Sequence, residues 1–452
     1  MTRPLVCAAA VLAALPGVSL AGGLDFETTD ARSIGRAGAV FVSADGGAAL
    51  QVNPGGLARR AETRVQVGLA LHDHDATYRA PEGSEAPRIS DRGRVGAAPA
   101  LAAITGRGRW VIAAAYAPAA NLARRLPAPA FGQPATEVST LFPHRYAGLS
   151  LDYRRDVVSV GAAIRVTDWL GAGVALSASR VALSETRHVW AGFDGRDPVG
   201  GPARDLVVGA GGVDWFVPGA VAGVLVAPEA PIELGASVSY TQRAQVSGDA
   251  TLAATTSNAT PRPVLAAPGS SARVAQPLIV RAGARYLGDR VFAEAGAQLE
   301  LFTGADPDPV WSLTGVRVED DSGRTDDFTT LPSAVHRRDR ASARAGVDVE
   351  LVRGFLWLTG GYAFATSGTA AAELTATYAD LAAHTLAIGA ESQWSDMTLV
   401  IGYARTFAAD VIVDSSAIDL TNPFQAGTAT VGNGRYDRGH DAFGAMIEIA
   451  WP

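Results

Sequence analysis

The chain of 452 residues has no lysine; all 38 of its Lys+Arg residues are arginine, set against 45 acidic residues for a net charge of −7. An acidic balance of this kind excludes a basic nucleic-acid-binding surface as the organising feature. There is a single cysteine, Cys7, which excludes an intramolecular disulfide and any cysteine-based metal site. Charged residues make up only 18% of the chain and hydrophobic ones 48%, a balance unlike that of a disordered polypeptide. Its 50 glycines follow no three-residue period, so it is not collagen-like. The mean hydropathy is +0.14, yet beyond the N-terminus the chain lacks the several apolar runs of about 18 or more residues that membrane helices need. It is apolar enough for a membrane but has no membrane helices to place there.

The N-terminus reads as a secretory signal: Arg3, an apolar stretch from Leu5 to Leu15, and the small residues Ser19-Leu20-Ala21 before a mature start at Gly22. Cys7 lies inside the apolar stretch and leaves with it.

From about Val65 onward, segments of about ten residues alternate in polarity with period two, the signal of a strand. Val158, Val160, Ala162, Ile164 and Val166 alternate with Ser159, Gly161, Ala163 and Arg165. Leu278, Val280, Ala282, Ala284 and Tyr286 alternate with Arg281, Gly283 and Arg285. Ala341 to Leu351 set apolar odd positions against Ser342, Arg344, Gly346, Asp348 and Glu350. Short connections near 105–108, 167–169, 227–231, 288–290, 352–354 and 393–396 alternate with long polar stretches near 73–93, 119–145, 185–214, 251–272, 304–338, 366–381 and 409–435. Those connections join fourteen strands. An even strand number with short turns at one end and long loops at the other is the plan of an all-β, antiparallel transmembrane barrel, whereas a sandwich shows no strict long-short alternation. The last strand, Phe443 to Trp451, is amphipathic and aromatic at its end, followed by Pro452. Tyr116, Tyr240, Tyr286, Tyr403 and Trp451 suit aromatic girdles at the membrane interfaces. Gly354 to Ala372 is uncharged and long enough for a helix, but Thr359, Gly360, Gly361, Thr366, Ser367, Gly368 and Thr369 favour a strand running into a loop.

Before the first strand the chain changes character. Residues 22–61 are small and glycine-rich, with Asn53-Pro54-Gly55-Gly56 marking a sharp turn. Such a piece either packs in a barrel lumen or forms a periplasmic linker. The expected organisation is a signal at 1–21, a plug at 22–61 and a barrel at 62–452. The third strand, Trp110 to Ala117, meets Pro118, which either ends it or breaks it locally.

The run Gly35-Arg36-Ala37, Ala44-Asp45, Asn53-Pro54-Gly55-Gly56-Leu57 resembles the N-terminal signature of the FadL family. Gly55 stands where that family usually has alanine, and Gly46 where it has a second acid. Arg340 to Phe364 and Leu386 to Phe407 share the family's late-barrel look. The resemblance implies a fourteen-stranded barrel of the bacterial outer membrane plugged by an N-terminal hatch, and passive uptake of long-chain fatty acids or other hydrophobic molecules. It implies capture among extracellular loops, transfer to a lumen pocket, release by movement of a hatch centred on Gly35, Arg36, Asn53, Pro54 and Gly55, and a kink in the third strand, here at Pro118. Neither a cofactor nor a metal is expected. The partners expected are the hydrophobic ligand, outer-membrane lipid and lipopolysaccharide, with no nucleic acid.

A fatty acid needs an apolar slot and a cation for its carboxylate. Arg165, Arg281, Arg285 and Arg344 fall on lumen faces and either meet a carboxylate or pair with lumen acids such as Glu294, Glu300, Asp348 and Glu350. Leu122, Leu126, Phe131, Leu141 and Phe142 offer a capture groove or ordinary loop packing. The seven histidines (72, 74, 144, 188, 336, 384 and 440) show no catalytic spacing and read as surface residues. That leaves a barrel enzyme, a lipase or protease, behind a structural or nonspecific barrel as the alternatives to a transporter. Glu319-Asp320-Asp321 and Asp326-Asp327 read as a solvated loop rather than a cation site.

Overall fold

The computed structural model describes residues 30–59, 62–91, 95–193, 195–226, 231–257, 261–302, 308–425 and 429–451; the signal sequence expected at 1–21 lies outside them. Period-two alternation places every second side chain on one face, and closing such strands into a ring satisfies all the ladder bonds. The barrel strands are β1 (Thr63–Arg79), β2 (Gly96–Arg107), β3 (Trp110–Arg125), β4 (Ser150–Thr167), β5 (Leu170–Trp190), β6 (Asp205–Val226), β7 (Ile232–Thr241), β8 (Leu278–Leu287), β9 (Val291–Leu301), β10 (Arg340–Val352), β11 (Leu356–Ala365), β12 (Ala383–Trp394), β13 (Met397–Ala408) and β14 (Gly434–Trp451). All neighbours are antiparallel, and β1 closes the ring against β14 from Thr63↔Trp451 to Arg79↔Arg435.

The alternation sorts as expected. On β1, Val65, Val67, Leu69 and Leu71 face outward while Arg64, Gln66, Ala70 and His72 are buried toward the lumen. Trp110, Trp169, Trp394 and Trp451 stand exposed at the short-turn end, and Tyr240 and Trp215 toward the other, where amphipathic rings suit a membrane interface. Gly354 to Ala372 is strand β11 followed by a loop with a short turn at Ala371–Glu373. Among the described residues no helix is long and apolar enough to cross a membrane.

The long connections differ from the expectation. Much of 185–214 is strand, since β5 runs to Trp190 and β6 begins at Asp205. Ala244–Ala254, Arg262–Val274 and Val310–Glu319 continue β7, β8 and β9 beyond the barrel wall. These extensions enclose a dry core containing Leu183, Leu206, Val208, Leu252, Trp311 and Tyr378. Their outward residues are mostly polar or small, with Leu265 and Val310 as exceptions, the reverse of the apolar outer face of the barrel strands.

Residues 30–59 lie inside the ring. Helix α1 (Ala31–Gly35) is capped by Asp30, whose Oδ1 accepts from the Ser33 amide at 2.7 Å. It ends where Ala37 turns left-handed (φ 50°) and the Gly38 and Ala37 amides donate back to the Ser33 and Ile34 carbonyls, a Schellman closure. Helix α2 (Ala49–Val52) and a tight turn at Pro54–Arg59 follow.

Candidate functional site: hatch, lumen cavity and wall window

The hatch is small because the wall leaves little room. A Cβ on Gly361 of β11 would sit 2.2 Å from the Arg36 carbonyl carbon, and one on Gly173 of β5 would sit 2.4 Å from the Pro54 oxygen. Gly35 approaches β12 closely as well, at Gly389. Arg36 donates from Nε and Nη2 to the two oxygens of Asp348 at 2.9 and 2.7 Å. Glu294 accepts from the Val42 and Ser43 amides at 2.7 and 3.1 Å. Buried Asn53 donates to the Phe41 and Val224 carbonyls and accepts from the Gly55 amide. Hatch and wall are thus joined by charge-assisted bonds in a water-poor space, where such bonds are strong.

Above the hatch lies a cavity of about 90 Å³. Phe41, Leu50, Val52, Val157, Val221 and Ile279 form its apolar side, and Arg155, Arg281, Arg344 and Glu300 its charged side. Arg155 bonds Thr241 at 3.0 Å and Arg344 lies over the Phe41 ring. Arg281 donates from Nε to Gln298 at 2.7 Å, and its buried Nη1 has no acceptor among the described residues. Three guanidiniums against one carboxylate, facing an apolar wall, can hold an amphipathic anion.

The arginines expected from sequence therefore divide. Arg281 and Arg344 meet at the cavity. Arg165 instead donates to the Ala58 and Arg59 carbonyls of the hatch, and Arg285 pairs with Glu233 at 3.7 Å. Arg155 was not singled out in the sequence, although it follows the inward alternation of Val157 and Ser159. The capture groove does not assemble as expected. Leu122 and Leu126 are buried on separate cores at β3 and its end, while Phe131 stands exposed; strand β3 extends past Pro118, and its alternation turns Leu122 inward. The histidines are not all surface residues: His72, His144 and His188 are buried. His72, His74 and His440 stack in the lumen with centroid separations of 4.2 to 6.4 Å, because the β1–β14 seam sets His74 opposite His440. Their rings lie face to face, and among the described residues no group of three or more His, Cys, Asp or Glu is arranged to hold a metal. In the acidic loop, Asp321, Asp326 and Asp327 pair with arginines.

The wall is irregular beside the cavity at β3. Strand β3 does not end at Pro118; its register against β4 shifts between Pro118 and Ala120. β2 and β3 pair from Arg107↔Trp110 only as far as Leu101↔Tyr116. Beyond that, β2 keeps its ladder to β1 up to Gly96 but has no ladder to β3. At 3.3 Å per residue the stretch Gly96–Ala100, unpaired with β3, leaves a window about 16 Å long. The Asn121 side-chain amide reaches across, donating to the Ala97 carbonyl at 3.3 Å. Ala119, inside the irregularity, lines the lumen cavity; Gln51 lines both that cavity and a smaller one against Ala100, Leu101, Tyr116 and Ala117 at the window's edge.

The fourteen-stranded barrel has counterparts among solved structures. The fold is that of the FadL-type barrels. A FadL homologue of Pseudomonas aeruginosa superposes with a TM-score of 0.75 at 14% identity, covering 95% of this chain and 99% of that one. The CymD monoaromatic hydrocarbon channel gives 0.66 at 12% identity, over 95% and 99%. The toluene transporter TodX of Pseudomonas putida gives 0.64 at 14% identity, over 94% and 99%. No family model matches the sequence, and no curated protein matches it.

Proposed function

We propose that this FadL-type barrel is a passive outer-membrane channel for hydrophobic molecules carrying an acidic head, with long-chain fatty acids as the favoured class. The carrying observation is the buried Arg281 Nη1 without an acceptor at the edge of an apolar cavity: a buried cationic donor is costly until an anion completes its bonds. Arg344 and Arg155 supply the second and third cations. The cavity is smaller than the roughly 150 Å³ needed for benzene, so the hatch around Gly35, Arg36, Asn53, Pro54 and Gly55, or the window edge, moves during passage. The route supported by the geometry runs from the cavity past Gln51 to the β2–β3 window and into the apolar membrane. Lipid and lipopolysaccharide would bathe the outward apolar face.

The test is uptake of a labelled fatty acid by cells carrying or lacking the protein. Equal uptake in the two strains excludes the fatty-acid form of the reading. A neutral-hydrocarbon channel is the second reading, favoured by the toluene and monoaromatic transporters among the similar folds; toluene uptake that depends on the protein and ignores Arg281→Gln selects it.

A further inference from the structure

The window's two ends are closed in different ways. At the inner end, backbone pairing resumes at Leu101↔Tyr116. At the outer end, no ladder joins β2 to β3. Instead the chain before β2 folds back along β1: Ile89–Ser90 pair with Tyr78 and Thr77, and the Asp91 amide donates to the Ala76 carbonyl at 2.9 Å. This sets the Asp91 side chain on the edge of β1, facing the end of β3. Its Oδ1 accepts from the Arg125 backbone amide at 2.8 Å and its Oδ2 from Arg124 Nη1 at 2.7 Å. Arg124 also reaches the His74 carbonyl at 3.3 Å. The Asp91 and Arg124 side chains are both almost fully buried.

We propose that Asp91 is a latch: its carboxylate, gripping the Arg125 amide and the Arg124 guanidinium, holds the outer end of β3 against β1 and so sets the aperture of the β2–β3 window. Ladder bonds break only collectively, whereas a side-chain clasp releases as one unit. Past the register shift at Pro118–Ala120, residues 120–125 stay laddered to β4 from Ala120↔Arg155 to Arg125↔Ser150, so that half of β3 swings together with β4 when the clasp opens. A closed latch passes slender chains; an open latch passes bulky ones. This inference rests on the proposed exit through the wall.

The test uses the full-length protein in liposomes, in a Cys7→Ser background. The Asp91→Cys/Arg125→Cys pair replaces the latch by a disulfide that can be closed by oxidation and opened by reduction in the same folded sample. Two probes are followed, a straight-chain fatty acid and one bearing a bulky dye. The bulky probe is expected to pass about tenfold faster after reduction, while the straight one passes in both states. Equal rates for the bulky probe in the two states overturn the latch. A second pair, Gly96→Cys/Asn121→Cys, bridges the window across its outer half, where a Cβ on Gly96 would lie 2.9 Å from the Asn121 Nδ2. If its disulfide leaves passage of the straight probe unchanged, the exit route itself fails; if it blocks passage while the first pair has no effect, the route stands and the latch falls.

Discussion

Arg36 of the hatch and Asp348 of β10, 312 residues apart, form a two-pronged ion pair with both bonds under 3.0 Å. It fixes the hatch to the one wall strand whose Gly346 leaves room for the Arg36 side chain. Asp348→Asn keeps the shape and removes the charge, stranding a buried guanidinium. A loss of about 3–5 kcal/mol is expected for breaking such a pair, read by denaturant unfolding in detergent, together with increased ion conductance in planar bilayers. Unchanged conductance would show that the pair does not hold the hatch shut.

Arg281→Gln removes the cation whose Nη1 has no acceptor among the described residues. Charge-assisted hydrogen bonds contribute about 1.5–3 kcal/mol, so fatty-acid affinity measured by calorimetry is expected to fall by about tenfold or more. A neutral hydrocarbon should bind as before. The same change at Arg165, committed to the hatch carbonyls, should leave affinity intact.

Gly173→Leu introduces a side chain where even a Cβ would overlap the Pro54 carbonyl. The clash is with backbone, so the hatch itself must shift. Limited proteolysis should cut residues 30–59 in this variant and spare them in the parent, while the barrel keeps its heat-modifiable gel mobility.

Two buried groups outside the barrel strands should give opposite pH responses. Burial pushes the Asp380 carboxyl in the β11–β12 loop up to about 6, despite the pull of Arg340, Arg438 and Arg337. A carboxyl that holds its proton more tightly when folded contributes most at low pH, and the contribution is lost as pH rises through about 6. Burial instead lowers His144, before β4, to about 4. Its contribution is present above the ordinary value of 6.5 and is lost as pH falls toward 4. Hydrogen-exchange protection, corrected for the intrinsic rate at each pH, should therefore rise around 366–382 and fall around 143–146 between pH 7.5 and 5. Asp380→Asn should flatten the first response only.

The arrangement of the barrel was readable from local rules. A barrel strand with an apolar outer face needs an apolar residue at every second position, and a tight hairpin needs only a few residues, so Val158 to Val166, Leu278 to Tyr286 and the six short turns carried their own addresses. The strand extensions were not readable, because residues such as those of 205–214 bury one face in a dry core and turn glycine and small residues outward, erasing the polarity contrast.

By itself the sequence determined the strand count, the inward face of Arg281 and Arg344, and the presence of a distinct glycine-rich piece before β1. These follow from period, spacing and composition, which act over a few residues. Tertiary structure alone decided that Arg281 keeps an unsatisfied donor at the cavity, which glycines admit the hatch, that His72, His74 and His440 stack, and that Asp91 clasps the end of β3. Each of those depends on the register of strands far apart in the chain, and register is settled by closure of the whole ring rather than by any one segment.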